Sequence, residues 1–298
     1  MEQDAPRRVG MVAVIGRPNV GKSTLVNALV GERVSITSRK PQTTRDRVLG
    51  VRTDADAQYI FVDTPGVQRR HRSALNKRMN EQVKGALADV DVIVLVIEAT
   101  GWRAEDEAVL QLLPEGSGRV ILAINKTDML AEREKLLPLL AESMGRFPFH
   151  AIVPVSAEKK RQLDDLLKEV ASLLPEGMPL FEADQYTDRS ARFLAAEQVR
   201  EKAYRLLGDE LPYGIAVTID RWDETDDAAE IVATLVVDRE AHKPIVIGKE
   251  GAKLREISRL ARADIAEMLG KRVHLEVWVR VKKGWNDDAR ALRTLGYD

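Results

Sequence analysis

The segment GRPNVGKSTL, residues 16–25, follows directly on the apolar run VGMVAVI. A buried strand that empties into two glycines, a proline and a lysine, and then into the helix-forming STLVNALVG, is a strand-to-helix turn. Gly16, Gly21, Lys22 and Ser23 fit GxxxxGK[ST]. In this setting the pattern turns backbone N–H groups and a helix N-terminus onto phosphate oxygens, with Lys22 to neutralise them and the Ser23 hydroxyl to ligate Mg²⁺. Arg17, Pro18, Asn19, Val20 and Thr24 complete the loop and are expected to line the same ligand.

Four further apolar runs, QYIFVDTPG, VIVLVIEA, RVILAINKTD and HAIVPVSAE, alternate with helix-like stretches up to about residue 174. Near-continuous Val/Ile/Leu runs are strands buried on both faces, and their alternation with helices predicts a doubly wound α/β unit with a mostly parallel sheet. LLPEGMPLFEADQYTDRS breaks the rhythm, and a helix, two strands, a glycine-punctuated helical segment and a last strand follow, in the order α-β-β-α-α-β. The expected division is a first domain over 1–176, a linker over 177–188 and a second, α+β domain over 189–298.

A length of 298 residues accommodates two cores. The net charge of -1 makes no whole-chain case for nucleic acid or membrane, so any such surface is local. The absence of cysteine excludes disulfides and thiolate metal sites and suits a reducing cytoplasm. The four histidines are scattered and read as structural or surface residues. MEQDAPRR lacks the order of a signal peptide, and the longest apolar run, VIVLVI, is too short to span a bilayer.

DTPG, Asp63 to Gly66, follows the strand QYIFV. A carboxylate at that strand end faces the phosphate loop, where Asp63 is expected to hold Mg²⁺ and the Gly66 N–H to reach a γ-phosphate, with Thr64 and Pro65 lining the loop. NKTD, Asn125 to Asp128, decides the base. The Asp128 carboxylate accepts from guanine N1–H and N2–H₂, which adenine lacks, and so selects GTP. Asn125 is expected to support the base and its loop, the Lys126 stem to lie over the ring, Ser156 to order the loop SAE, and the Ala157 N–H to approach guanine O6, with Glu158 beside it. Thr43 and Thr44 are both candidates for a switch threonine that ligates Mg²⁺ only when a γ-phosphate is present, and Thr44 is favoured.

In the second domain Gly248 and Gly251 of IVIGKEGAKL form GxxG between two helix-like segments. Such a loop brings backbone N–H groups close to a sugar-phosphate chain, and in the α-β-β-α-α-β order it points to a type II KH module. Ile247, Gly248, Lys249, Glu250, Gly251, Lys253 and Arg255 are the expected RNA-binding residues, with Glu250 pointing outward. Twelve lysines and arginines face six acids between residues 239 and 283, whereas 220–230 is acidic. A neutral chain therefore carries a basic patch.

The nucleotide motifs resemble the translation-factor-related branch of small GTPases. Position 67 is Val where many GTPases have a water-orienting Gln, and no catalytic base is visible. Asn19 matches the asparagine that in related GTPases helps hold K⁺ in the role of an arginine finger, so the candidate catalytic groups are Lys22, Thr44, Gly66 and Asn19. With the KH module, the chain from residue 8 to its end is similar to the Era family of bacterial ribosome-assembly GTPases, through RPNVGKSTLVNALVG, SRKPQTTRDR, FVDTPG, NKTD, VSAEK, ELPYG, VIGKEGAKL and VWVRVKKGWNDDARALRTLGY. The resemblance implies GTP hydrolysis to GDP, binding near the 3′ end of 16S ribosomal RNA, a role in 30S assembly, and peripheral association with the inner face of the membrane. It implies a cytoplasmic monomer. Two other classes fit less well: a membrane-bound signalling GTPase, for which the helices are not clearly amphipathic, and a small-molecule kinase, for which no second pocket is evident.

Overall fold

The computed structural model describes residues 7–297 apart from 39, 41–42, 67–73, 115–117, 131 and 209–213. Val67, His71 and most of ELPYG lie outside the described residues. Contacts divide the chain into two compact units. One takes the described residues of Met1–Ser35, Thr44–Arg70 and Arg78–Asp188; the other takes those of Ile36–Thr43, His71–Lys77 and Arg189–Asp298.

The sheet of the first unit runs in the order β2 (Val48–Thr53), β3 (Ala57–Asp63), β1 (Arg7–Ile15), β4 (Val92–Glu98), β5 (Val120–Asn125), β6 (Ala151–Pro154). All neighbours are parallel except β2, an antiparallel edge on β3, and β7 (Glu176–Gly177), which pairs antiparallel with β1. The expected α/β class holds, and β2 and β7 are additions to it. Burial is continuous along β3 and β5, as their unbroken apolar runs require.

Residues of α2 (Ala74–Ala88), α3 (Ala104–Leu110) and α4 (Leu136–Met144) share a core with β1, β4 and β5 through Val83, Val109 and Leu139. α1 (Lys22–Val30) and α5 (Leu163–Leu173) pack on each other. The chain leaves β1 through α1 for β2 and then β3 on one side, while β4 flanks β1 on the other, so the C-terminal end of β1 is a topological switch point, the place where such sheets bind ligands.

The stretch expected as a linker is anchored to this unit. The buried Gln58 amide accepts from the N–H groups of Leu180 (2.7 Å) and Phe181 (3.0 Å) and donates to the Phe181 carbonyl (2.8 Å), and Thr187 Oγ1 donates to the Leu49 carbonyl (2.7 Å). A buried primary amide is stable only when so satisfied.

In the second unit α6 (Ala191–Leu206) precedes the antiparallel pair β8 (Ile215–Glu224) and β9 (Ala228–Val237). Then come α7 (His242–Ile247), α8 (Ala252–Leu269) and β10 (Arg272–Val281), which lies parallel to β9 in a sheet ordered β10-β9-β8, and finally α9 (Ala289–Thr294). Val199 and Ala203 of α6 and Ile257, Ala261 and Ile265 of α8 cover the apolar face of that sheet. No described helix is long and apolar enough to cross a membrane.

Candidate guanine-nucleotide site and nucleic-acid loop

The phosphate loop closes β1 onto α1 through Gly21, which caps the helix at φ 96°. A Cβ at this glycine would lie 2.4 Å from Asn125 Nδ2, so only glycine fits between the loop and the base motif. Lys22 is buried, its ammonium donating to the carbonyls of Gly16 (3.2 Å) and Arg17 (3.1 Å). Burial pulls its pKa down to about 8, against the attraction of Asp63. Asp63, the last residue of β3, is fully buried, and burial pushes its carboxyl up, against the Ser23 hydrogen bond and the Lys22 charge. Both groups are thus driven toward neutrality, and a polyphosphate with its cation, if bound there, would oppose both shifts.

Ser23 Oγ donates to Asp63 Oδ2 at 2.7 Å, Thr44 Oγ1 lies 2.8 Å from Ser23 Oγ, and Thr44 Oγ1 donates to Asp63 Oδ2 at 3.4 Å. Asp63 Oδ1 is buried with no hydrogen-bond partner. A carboxylate and two hydroxyls at one point, with one carboxylate oxygen unpartnered, are the hard oxygen donors that suit Mg²⁺. No cluster of three or more His, Cys, Asp or Glu side chains able to hold a metal occurs among the described residues. Thr43 has a different role: its hydroxyl donates to the Lys40 carbonyl at 2.7 Å, a local turn contact.

Three of the expected residues make contacts within the protein. The Thr64 hydroxyl is buried and donates to the Val14 carbonyl of β1 (2.9 Å), so it secures DTPG to the sheet and does not face the phosphate loop. The Arg17 side chain turns away from the loop interior toward Glu98 and Asp106. The Ala157 N–H, expected at guanine O6, donates to Asn125 Oδ1 at 3.0 Å. Asn125 Nδ2 donates to the Val20 carbonyl at 2.9 Å, so this buried amide joins the phosphate loop to the SAE loop.

Ser156 Oγ donates to Asp128 Oδ1, fixing an exposed carboxylate. Lys126, at φ 65°, donates to the Asn19 carbonyl at 2.6 Å. Asn19 is exposed and Glu158 is exposed, whereas Pro65 and Gly66 are buried, with Gly66 against Pro18. Val20 is fully buried, and Thr24 is half-buried on α1.

In the second unit Gly248 ends α7 at φ 73°, and a Cβ there would lie 2.7 Å from that of Lys253. The loop turns through Lys249–Gly251 and enters α8 at Gly251. Lys249, Glu250 and Arg255 are exposed, and Ile247, Gly251 and Lys253 are half-buried. Glu256 of α8 pairs with Arg259 and Asp264 with Lys202, so these acids are engaged by other cations.

The chain matches the 50S ribosome-binding GTPase family over residues 11–126 and the KH domain family over residues 210–286. It is 55% identical to GTPase Era of Bordetella avium over 98% of each chain, and 46% identical to GTPase Era of Pseudomonas putida over all of this chain and 98% of that one. The chain belongs to the Era family of GTPases. Two Era crystal structures match nearly the whole fold at 44% identity. An Aquifex aeolicus Era variant bound to GDP·AlF4⁻ superposes with a TM-score of 0.93, covering 97% of this chain and 99% of its own. Era in complex with MgGDPNP and nucleotides 1506–1542 of 16S ribosomal RNA superposes with a TM-score of 0.94, covering 98% and 99%. Family membership makes the chain a GTPase with a KH domain and accounts for the joint presence of the phosphate loop and the GxxG loop.

Proposed function

We propose that this protein is a GTP-hydrolysing switch that binds small-subunit ribosomal RNA near its 3′ end and assists 30S maturation in the cytoplasm. The observation that carries the reading is the meeting of Ser23, Thr44 and Asp63 beside the buried Lys22. Thr44 comes from a segment outside the phosphate loop, so a γ-phosphate with its cation would hold it at this point and hydrolysis would release it. The RNA side rests on the exposed GxxG loop and on the 16S fragment bound by a relative of 44% identity; the small subunit, rather than the large one, follows from that relative.

Ser23, Thr44 and Asp63 would hold Mg²⁺, which when bound neutralises charge on the β- and γ-oxygens. Lys22 binds the same oxygens from the buried side, and Asp128, oriented by Ser156, reads the guanine edge. Asn125 keeps the phosphate and base loops together.

Asn19 matches the asparagine that helps hold K⁺ in related GTPases, and a monovalent cation held there would neutralise charge between the β- and γ-phosphates. Phosphate release from GTP is therefore expected to run about tenfold faster in K⁺ than in Na⁺ at equal ionic strength, with Lys22→Ala at background in both. Equal rates in the two salts contradict the cation assignment, and no release in either contradicts the hydrolytic reading.

A further inference from the structure

One carboxylate sits between the two halves of the nucleotide site. Glu98 ends β4 and lies opposite Asn125 in the β4–β5 register, directly beside the base motif. Its Oε1 accepts from Lys126 Nζ of the base motif, and its Oε2 accepts from Arg17 Nη2 of the phosphate loop. Its side chain is 12% exposed. Burial works to raise the Glu98 pKa, but the hydrogen bonds from Lys126 and Arg17 outweigh it and hold the carboxyl below the usual range, so it stays ionised.

The cations it joins are fixed at their other ends. Lys126 Nζ also donates to the Asn19 carbonyl at 2.6 Å. The Arg17 guanidinium donates to the Pro18 carbonyl at 3.3 Å and pairs through Nε with the fully buried Asp106 at 3.2 Å. Asp106 in turn accepts from the Arg103 N–H at 3.0 Å, which secures it in the first turn of α3. The chain of contacts runs from α3 through Arg17 to Glu98, on to Lys126, and back to the phosphate loop at Asn19.

We propose that Glu98 is a positioning residue for guanine-nucleotide binding, holding the Lys126 stem and the phosphate loop in one fixed arrangement by taking a cation from each. The inference rests on the guanine-nucleotide reading of the site. Lys126 is a long, flexible side chain, and a stem that is to lie along a purine gains from having its head anchored before the ligand arrives, because the rotamer entropy is then lost in folding and not in binding. Without the carboxylate, the Arg17 and Lys126 cations lose their common counter-charge, and Lys126 keeps only a neutral carbonyl.

The test is a titration of fluorescent GDP into the full-length protein and its variants, with kcat and KM for GTP alongside. Glu98→Gln preserves the shape of the side chain and is expected to weaken GDP roughly 10- to 100-fold, the range for a lost hydrogen bond to a charged group. KM for GTP should rise by the same factor, with kcat at saturation within about twofold. In a Lys126→Ala background the same change should add little, because Glu98 acts through that lysine. GDP affinity within about twofold of the parent, a loss confined to kcat, or a full additive loss in the Lys126→Ala background would each overturn the proposal. Circular dichroism of the nucleotide-free protein separates positioning from folding: the midpoint of Glu98→Gln should fall, because Arg17 and Lys126 lose their counter-charge, yet the variant should stay fully folded at the assay temperature, and a binding loss that tracks an unfolded fraction also overturns the proposal. Failure of the parent protein to bind GDP would instead contradict the reading of the site itself.

Discussion

Asp128→Asn is expected to lower GTP and GDP affinity by about 100-fold and to raise affinity for the xanthine nucleotide XTP. As proposed, the carboxylate would accept from N1–H and N2–H₂ of guanine, and each hydrogen bond to a charged acceptor contributes about 1.5–3 kcal/mol. An amide at this position keeps one acceptor and presents a donor to the other contact, so the guanine amino group meets an N–H. Xanthine carries a carbonyl in place of that amino group and matches the new pattern. The Ser156 hydroxyl, which donates to Asp128 Oδ1, still finds an acceptor in the amide oxygen, so the loop keeps its shape. Competition of GTP, XTP and ATP against a fluorescent guanine nucleotide measures the change, and unchanged GTP selectivity would remove Asp128 from the base site.

The second large effect is expected in the GxxG loop. Replacing Gly248 and Gly251 together by Asp should weaken binding of a short single-stranded RNA at least about tenfold while leaving GDP affinity unchanged. Two causes act together. At Gly248 a Cβ would lie 2.7 Å from that of Lys253 at φ 73°, so the loop must open. Two carboxylates also stand where backbone N–H groups approach phosphates. Lys249→Ala separates these causes, since it leaves the backbone intact and removes one exposed cation. Its RNA affinity should fall more gently, with the slope of log affinity against log salt reduced by about 0.7. Equal RNA binding by the double-Asp variant, with the fold retained, would move the RNA site elsewhere.

Most of the nucleotide site was readable because its motifs are local: GxxxxGK[ST], DTPG and NKTD each sit at a strand end, where chain direction dictates which way the side chains face. The KH order was readable for the same reason, from strands and helices long enough to show their period. β2 escaped notice because Gly50 and Arg52 interrupt its apolar alternation, and it is defined by pairing with β3. β7 is two residues long and has no period at all.

The contacts that sequence reasoning missed are non-local. Arg17 meets Glu98 and Asp106 across 81 and 89 positions, and no spacing rule joins a phosphate-loop arginine to a strand end so far away. The one available signal was an acidic residue closing an otherwise apolar strand, VIVLVIE. The contacts of the Thr64 hydroxyl with Val14 and of the Ala157 N–H with Asn125 are likewise set by packing between elements far apart in the chain. Of Thr43 and Thr44, it is the favoured Thr44 whose hydroxyl lies beside Ser23.

The central claim is that guanine nucleotide governs RNA binding within this one chain. Its most direct test is the affinity of the full-length protein for a short single-stranded RNA from the small-subunit 3′ end, measured by fluorescence anisotropy with a GTP analogue, with GDP and without nucleotide, at two salt concentrations. The account predicts binding about tenfold tighter with the GTP analogue than with GDP, at both salt concentrations, because a switch acts only through the difference in affinity between its states. Equal affinity in all three states would contradict it and leave a GTPase and a KH domain that share a chain without sharing a signal.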